Sequence, residues 1–405
     1  MNPAVSFYRM SRFHSYINTA LQIKSSYFGE KPFAQHIKQF FAANKKYGSN
    51  DRRQITSLCY NYFRIGFGAK TLPEEEKLLL ASFLCAQKPF PLMEALRPGW
   101  NQNINLTPGE KLRLVQDEFA VEDIFPFKEE LSAGVDIEEF CSSFLLKPDL
   151  FIRIRPSTRL TTLKKLEKSK LPYKMITEDC VQLPPATNVS DFFIVDKEVV
   201  IQDRNSQRVL DYLKSDSSQP FINTGTKQEI SAWDCCAASG GKSILLNDIL
   251  HKKVELTISD IRASIISNLH LRFIRAGIKE YKYFISNISQ ADFTPVSSNF
   301  DLVICDAPCT GSGTWSRTPE HIGFFKKESI ITYSELQQRI VSHALPHLRQ
   351  GGLFVYITCS VFSRENEQVS DYIHQHLGCT LLEQQLLKGY DRKSDSMFVA
   401  VFKKL

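Results

Sequence analysis

Hydrophobic positions divide the 405-residue chain into three stretches of different rhythm. From Phe13 to about Leu146 apolar residues recur three and four apart, as in "FAQHIKQFFAANKKYG" and "DRRQITSLCYNYFRIGFG". This spacing predicts amphipathic helices that stop at glycines, and so an all-α domain over 1–146. Over 147–225 the rhythm shortens: "LFIRIR" predicts a strand, "TTLKKLEKSK" a helix, and "FFIVDKEVVIQ" further strand, together a small α+β module. Over 226–405 strand and helix alternate. "EISAWDCC", "VELTISD", "YKYFIS", "FDLVICD" and "LFVYITC" predict strands. Gly241–His251, Arg262–Gly277 and Glu328–Leu348 predict helices, the last capped at Gly351–Gly352. That alternation implies a parallel, doubly wound sheet, in which ligands lie beyond the carboxyl ends of the strands where the strand order reverses.

Composition changes this picture little: 43% hydrophobic and 23% charged residues describe a globular chain. The charge is unevenly placed. Net charge is +6, yet Phe151–Met175 alone carries Arg153, Arg155, Arg159, Lys164, Lys165, Lys168, Lys170 and Lys174 against one acid, Glu167. Such a cluster reads either as a solvated face or as a surface for nucleic acid, and the Arg153/Arg155 alternation brings the second level with the first. Ten cysteines without a CxxC pair suggest reduced, mostly buried thiols and no metal. The N-terminus lacks an apolar secretory core, and the run "LLLASFLCA" is too short to cross a bilayer. A cytoplasmic protein without membrane association is expected.

Candidate chemistry gathers at the predicted strand ends. "WDCCAASGGKS" ends in Gly-Lys-Ser, but a phosphate-cradling loop needs glycine five residues before Gly241, where Cys236 stands. The glycine turn Cys236, Ala237, Ala238, Ser239, Gly240, Gly241 and Lys242 therefore suits a nucleoside without a polyphosphate. Asp260, ending the second strand, can accept both hydroxyls of its ribose, and S-adenosylmethionine fits that description. Cys309 follows the fourth strand and Cys359 the fifth. If those strands are neighbours, both thiols and Asp306 face one pocket. A thiolate adding to carbon 6 of a pyrimidine makes carbon 5 nucleophilic enough to take a methyl group. Asp306 could support the ring as charge develops, and a second thiol suggests separate roles in attack and release.

At these residues the chain resembles the Sun/Fmu (RsmB-like, NOP2-related) family of RNA cytosine-5 methyltransferases. "DCCAASGGKS" resembles the methyl-donor motif, with Ser239 where proline is usual. "DAPCTGSGT" resembles the Asp-x-Pro-Cys-Ser-Gly motif, with Thr310 for serine. The run "LQQRIVSHALPHLRQGGLFVYITCSVFSRENEQV", the lead-in "VIQDRNSQRVLDYL" and the closing strand "SDSMFVAVFKK" also resemble the family's. The resemblance implies a Rossmann-like methyltransferase domain that uses S-adenosylmethionine. It implies Cys359 as nucleophile, Cys309 as the residue that helps release the product, and Asp306 as a contact to the cytosine. The Ala237–Lys242 turn and Asp260 would hold the methyl donor. Asn287 falls where the family commonly has an aspartate near the adenine, and Ile265 replaces an arginine often found after the second-strand acid. "LFIRIRP" sits where the family carries a small RNA-binding module, and the helical N-terminus resembles a NusB-like domain. These favour 16S ribosomal RNA over transfer RNA as substrate. A non-catalytic RNA-binding assembly factor and a nucleotide-driven enzyme are the competing readings.

Overall fold

A computed structural model describes residues 3–215, 229–251, 253–290, 293 and 299–405. The expected boundary at 225/226 lies outside the described residues. The chain divides into two compact units. One comprises Met1–Glu129, Asp136–Lys147 and Trp315–Lys326, and the other Glu130–Val135, Pro148–Thr314 and Lys327–Leu405.

The first unit is helical, with Pro3–Ser25, Phe33–Ala43, Ser49–Arg64 and Glu74–Cys85 its longest helices. Their apolar stripes meet in a core rich in aromatic rings, including Tyr27, Phe33 and Phe63 in edge-to-face contact. Buried Arg64 donates to the carbonyls of Phe144 (2.7 Å) and Leu146 (3.0 Å), satisfying acceptors that the end of the helix Ile137–Phe144 leaves without intrahelical partners.

The second unit holds two sheets. The smaller has strands β1 (Leu150–Ile154), β2 (Lys174–Met175), β3 (Cys180–Leu183) and β4 (Val199–Ile201) in the order β2-β3-β1-β4. Of the expected strand "FFIVDKEVVIQ", Val199–Ile201 forms β4 and Val195 makes only an isolated bridge. The larger sheet has strands β5 (Ile230–Asp234), β6 (Val254–Asp260), β7 (Lys282–Ile285), β8 (Phe300–Asp306), β9 (Leu348–Thr358), β10 (Cys379–Leu387) and β11 (Met397–Lys404). Their order is β10-β11-β9-β8-β5-β6-β7. β6, β5, β8 and β9 run parallel, and β11 enters antiparallel between β9 and β10. The fold is the expected Rossmann-like α/β sheet, with the strand order reversing between β5 and β8. Gly351 and Gly352 do not cap a helix: the long helix ends at Ala344, and the glycines lie inside β9, opposite a register shift on β8.

Arg153 and Arg155 overturn their expected role. Both point inward from β1 and its end, with side chains 6% and 2% exposed, onto buried Asp248 of the helix Gly241–Ile249. Arg153 Nη1 and Arg155 Nη2 donate to Asp248 at 2.7 Å each, and Arg155 Nε at 3.1 Å. Arg155 also donates to the carbonyl of Ala276 (2.6 Å). These arginines lock the small sheet to the large one. Lys164, Lys165, Lys168, Lys170 and Lys174 are exposed, Lys165 against Glu198.

Candidate active site

Beyond the carboxyl ends of β5 and β8 lies a cavity of about 300 Å³ lined by Asp234, Cys236, Ala237, Ala238, Ser239, Gly241, Lys242, Asp306 and Cys359 among others. The loop from β5 to the following helix makes one wall. Ala238 (φ +45°) and Gly240 (φ +78°) turn it in the left-handed region. A Cβ on Gly240 would also stand 2.8 Å from the Phe273 ring, so this turn needs glycine twice over. The turn leaves Gly241, at the start of its helix, facing the cavity.

Asp260 closes the loop from the side, its Oδ2 accepting from the Ala238 N–H at 3.1 Å. The same carboxylate is gripped by Arg262 through Nε (3.0 Å) and Nη2 (3.1 Å), and these bonds hold its pKa below the usual carboxylate range despite burial. Asn287 turns back on Ser289, accepting from its N–H (3.1 Å) and hydroxyl (2.8 Å), and does not line the cavity.

The β8 and β9 ends bring the other expected residues together. Because these strands pair in parallel, Cys309 and Cys359 leave the sheet side by side, with their Sγ atoms 3.3 Å apart. Contact with Cys359 and burial push the Cys309 thiol well above its ordinary pKa, so it stays protonated. Burial works against the Lys242 charge, but Lys242 Nζ donates to Asp306 at 2.5 Å, and the charge and hydrogen bond of that carboxylate raise the Lys242 pKa.

Several residues that complete the site were quoted in sequence motifs without a role. Glu365, fully buried, accepts from the Thr310 N–H (2.9 Å), Thr310 Oγ1 (2.6 Å), Ser360 Oγ (2.5 Å) and Gln337 Nε2 (3.0 Å). It thereby ties the loop after Cys309 to the loop after Cys359. Neighbouring Asn366 accepts from Thr358 Oγ1 (2.5 Å) and donates to the Ser360 carbonyl (2.9 Å). Gly313 N donates to the Cys359 carbonyl (2.9 Å), and a Cβ at Gly313 would meet the Ser396 carbonyl oxygen at 2.2 Å. Gln202, Asp203, Ser206, Arg272 and Asp395 also line the cavity. Arg272 donates to the Ser239 carbonyl (2.8 Å), where a motif proline would offer the same acceptor.

Among the described residues no helix is long and apolar enough to cross a membrane.

Residues 223–400 match the family described as 16S rRNA methyltransferase RsmB/F. A probable ribosomal RNA small subunit methyltransferase B of Bacillus subtilis (strain 168) is 26% identical over 244 residues, which cover 59% of this chain and 52% of that protein. The chain spans about half the length of the curated relatives it matches. Among solved structures, that of PH0851 superposes with a TM-score of 0.67 at 17% identity, covering 98% of this chain and 99% of the other. NSun6 from Pyrococcus horikoshii with SFG superposes with a TM-score of 0.55 at 14% identity, covering 70% and 96%. At such identities the structural likeness shows a shared fold. The sequence match says more: residues 223–400, a little under half of the chain, are similar to the RsmB/F methyltransferase family.

Proposed function

We propose that this chain transfers a methyl group from S-adenosylmethionine to carbon 5 of a cytosine in RNA, with 16S ribosomal RNA the favoured substrate and transfer RNA the alternative. The observation that carries the reading is the Cys309–Cys359 pair, 3.3 Å apart, in which Cys359 lines the same cavity as the Lys242–Asp306 ion pair and Cys309 lies behind it. The catalytic residues are then Cys359, Cys309 and Asp306. The donor is held by Cys236, Ala237, Ala238, Ser239, Gly240, Gly241, Lys242 and Asp260, with Asn287 contributing only if its loop rearranges.

S-adenosylmethionine, when bound, supplies an electrophilic methyl group. The nucleophilic form of Cys359 is its thiolate. That thiolate attacks carbon 6, forming a carbon–sulfur bond and moving electron density to carbon 5 and the ring nitrogen. Asp306, paired with Lys242, offers an acceptor to the exocyclic amine and fixes the base. After methyl transfer a base removes the carbon-5 proton, the double bond re-forms, and the Cys359 sulfur leaves. The protonated Cys309 thiol donates toward that departing sulfur. Ribose hydroxyls at Asp260 must displace Arg262 or share its carboxylate.

Three parts cooperate in this reading: a NusB-like helical domain over 1–146, an RNA-binding module over 147–225, and the catalytic domain over 226–405. The exposed lysines of the module grip the RNA backbone in the cytoplasm.

The test is a denaturing gel of Cys309→Ala mixed with unmodified 16S or transfer RNA and S-adenosylmethionine. A slow protein–RNA band that disappears in Cys309→Ala/Cys359→Ala is expected. No band, together with no radiolabelled methyl transfer by the unsubstituted chain to either RNA, refutes the reading. Methylation of transfer RNA alone would replace the ribosomal substrate.

A further inference from the structure

Three further thiols gather at the start of the donor loop: Cys235 and Cys305 take no part in the chemistry just described, and Cys236 belongs to the loop itself. Cys235, Cys236 and Cys305 bring their Sγ atoms within 4.8 Å of one another. Pairing of the parallel strands β5 and β8 explains why. Asp234 registers with Ile304, and the Cys235 N–H donates to the Ile304 carbonyl at 2.9 Å. The next residues, Cys235 just past the end of β5 and Cys305 within β8, therefore project to one face, where both are buried with Trp233 and Val303. Cys236 turns out of the strand and lines the cavity, giving the cluster a polar entrance.

We infer that Cys235, Cys236 and Cys305 form a binding site for a thiophilic divalent cation of the zinc type. An ion with metal–sulfur bonds of about 2.3 Å in tetrahedral geometry holds its sulfurs about 3.8 Å apart. Three sulfurs already confined within 4.8 Å need only small rotamer adjustments to reach that spacing. The donor set is all sulfur, which selects soft or borderline cations over magnesium and calcium. Binding breaks three S–H bonds and forms three metal–sulfur bonds. Three protons leave through the cavity, and the bound cluster carries one net negative charge, near the Lys242 ammonium that lines the same cavity. A water on the cavity side completes four ligands. The sequence concealed this site: two of the ligands are adjacent and the third lies on a strand 69 residues further on, so no CxxC spacing marks it.

This inference goes beyond the methyltransferase reading, and its readout involves no methyl transfer. Reduced, tag-free full-length Cys309→Ala/Cys359→Ala protein, lacking the other thiol pair, is titrated with Co²⁺ and then Zn²⁺. One cobalt per chain with a sulfur-to-metal charge-transfer band, displaced by zinc, is expected. Adding Cys305→Ala or Cys235→Ser should weaken binding at least tenfold. Cys236→Ser, at the half-buried position, should do the same while leaving the core thiols in place. Absence of the band in the starting variant overturns the inference. So does cobalt affinity unchanged by Cys236→Ser in protein with an unaltered circular dichroism spectrum.

Discussion

Asp248→Ala tests whether the inward arginines are structural. Asp248 is 7% exposed in its side chain and accepts three guanidinium hydrogen bonds at 2.7, 2.7 and 3.1 Å. Alanine leaves two cations facing an apolar interior. Each such bond to a charged group contributes about 1.5–3 kcal/mol, but the three share one carboxylate and do not add. Removing one partner of a buried ion pair costs about 3–5 kcal/mol, because the remaining charge stays desolvated. Arg155 keeps its bonds to the carbonyls of Asp196 and Ala276, which places the expected loss near the lower end of that range. At about 2–4 °C per kcal/mol for a body of this size, the melting temperature should fall by roughly 6–12 °C. Urea denaturation followed by circular dichroism and by tryptophan fluorescence, to which fully buried Trp233 contributes, measures the change. Asp248→Asn, which retains an acceptor but not the charge, should lose less. A loss under about 1 kcal/mol for Asp248→Ala would refute the argument. So would an Arg153→Ala variant of unchanged stability whose RNA affinity falls, because it would return that arginine to the RNA surface.

Replacing Lys164, Lys168, Lys170 and Lys174 together by alanine should leave the melting temperature within about 2 °C and weaken RNA binding. The slope of log affinity against log salt should shrink by up to about four, as filter binding over a salt series would show. Glu365→Ala removes the acceptor shared by Thr310, Ser360 and Gln337. It should lower kcat by about 10²-fold through misplaced thiols, with little change in KM for S-adenosylmethionine. A kcat within twofold of the original, in folded protein, would show that the two loops hold their places without it. Asp260→Asn should weaken S-adenosylmethionine binding by about 10–100-fold, the worth of hydrogen bonds to a charged acceptor. Arg262→Ala, which frees that carboxylate, should not weaken it; calorimetric titration separates the two outcomes.

Much of the candidate site was legible because its pattern is local. A glycine turn must follow a strand to expose its N–H groups, so "DCCAASGGKS" carried its own placement, and Asp260, Asp306, Cys309 and Cys359 fell at strand ends by the same logic. The helical rhythm before residue 147 and the alternation after 226 likewise follow from side-chain periods of 3.6 and 2. What period alone cannot give is which strands become neighbours or which way a charged side chain faces. The order β9-β8-β5-β6 put Cys309 against Cys359, and also Cys305 against Cys235, from positions far apart in the chain. Arg153 and Arg155 alternate like a solvent-facing strand edge, yet Asp248, 93 residues after Arg155, supplies the countercharge that lets both be buried. Asn287 shows the same limit in the other direction, for its position in a motif did not bring its side chain to the cavity. Local pattern determined the elements and the residues at their ends. Burial, strand pairing and charge compensation are properties of the assembled core, and only the tertiary structure decided them.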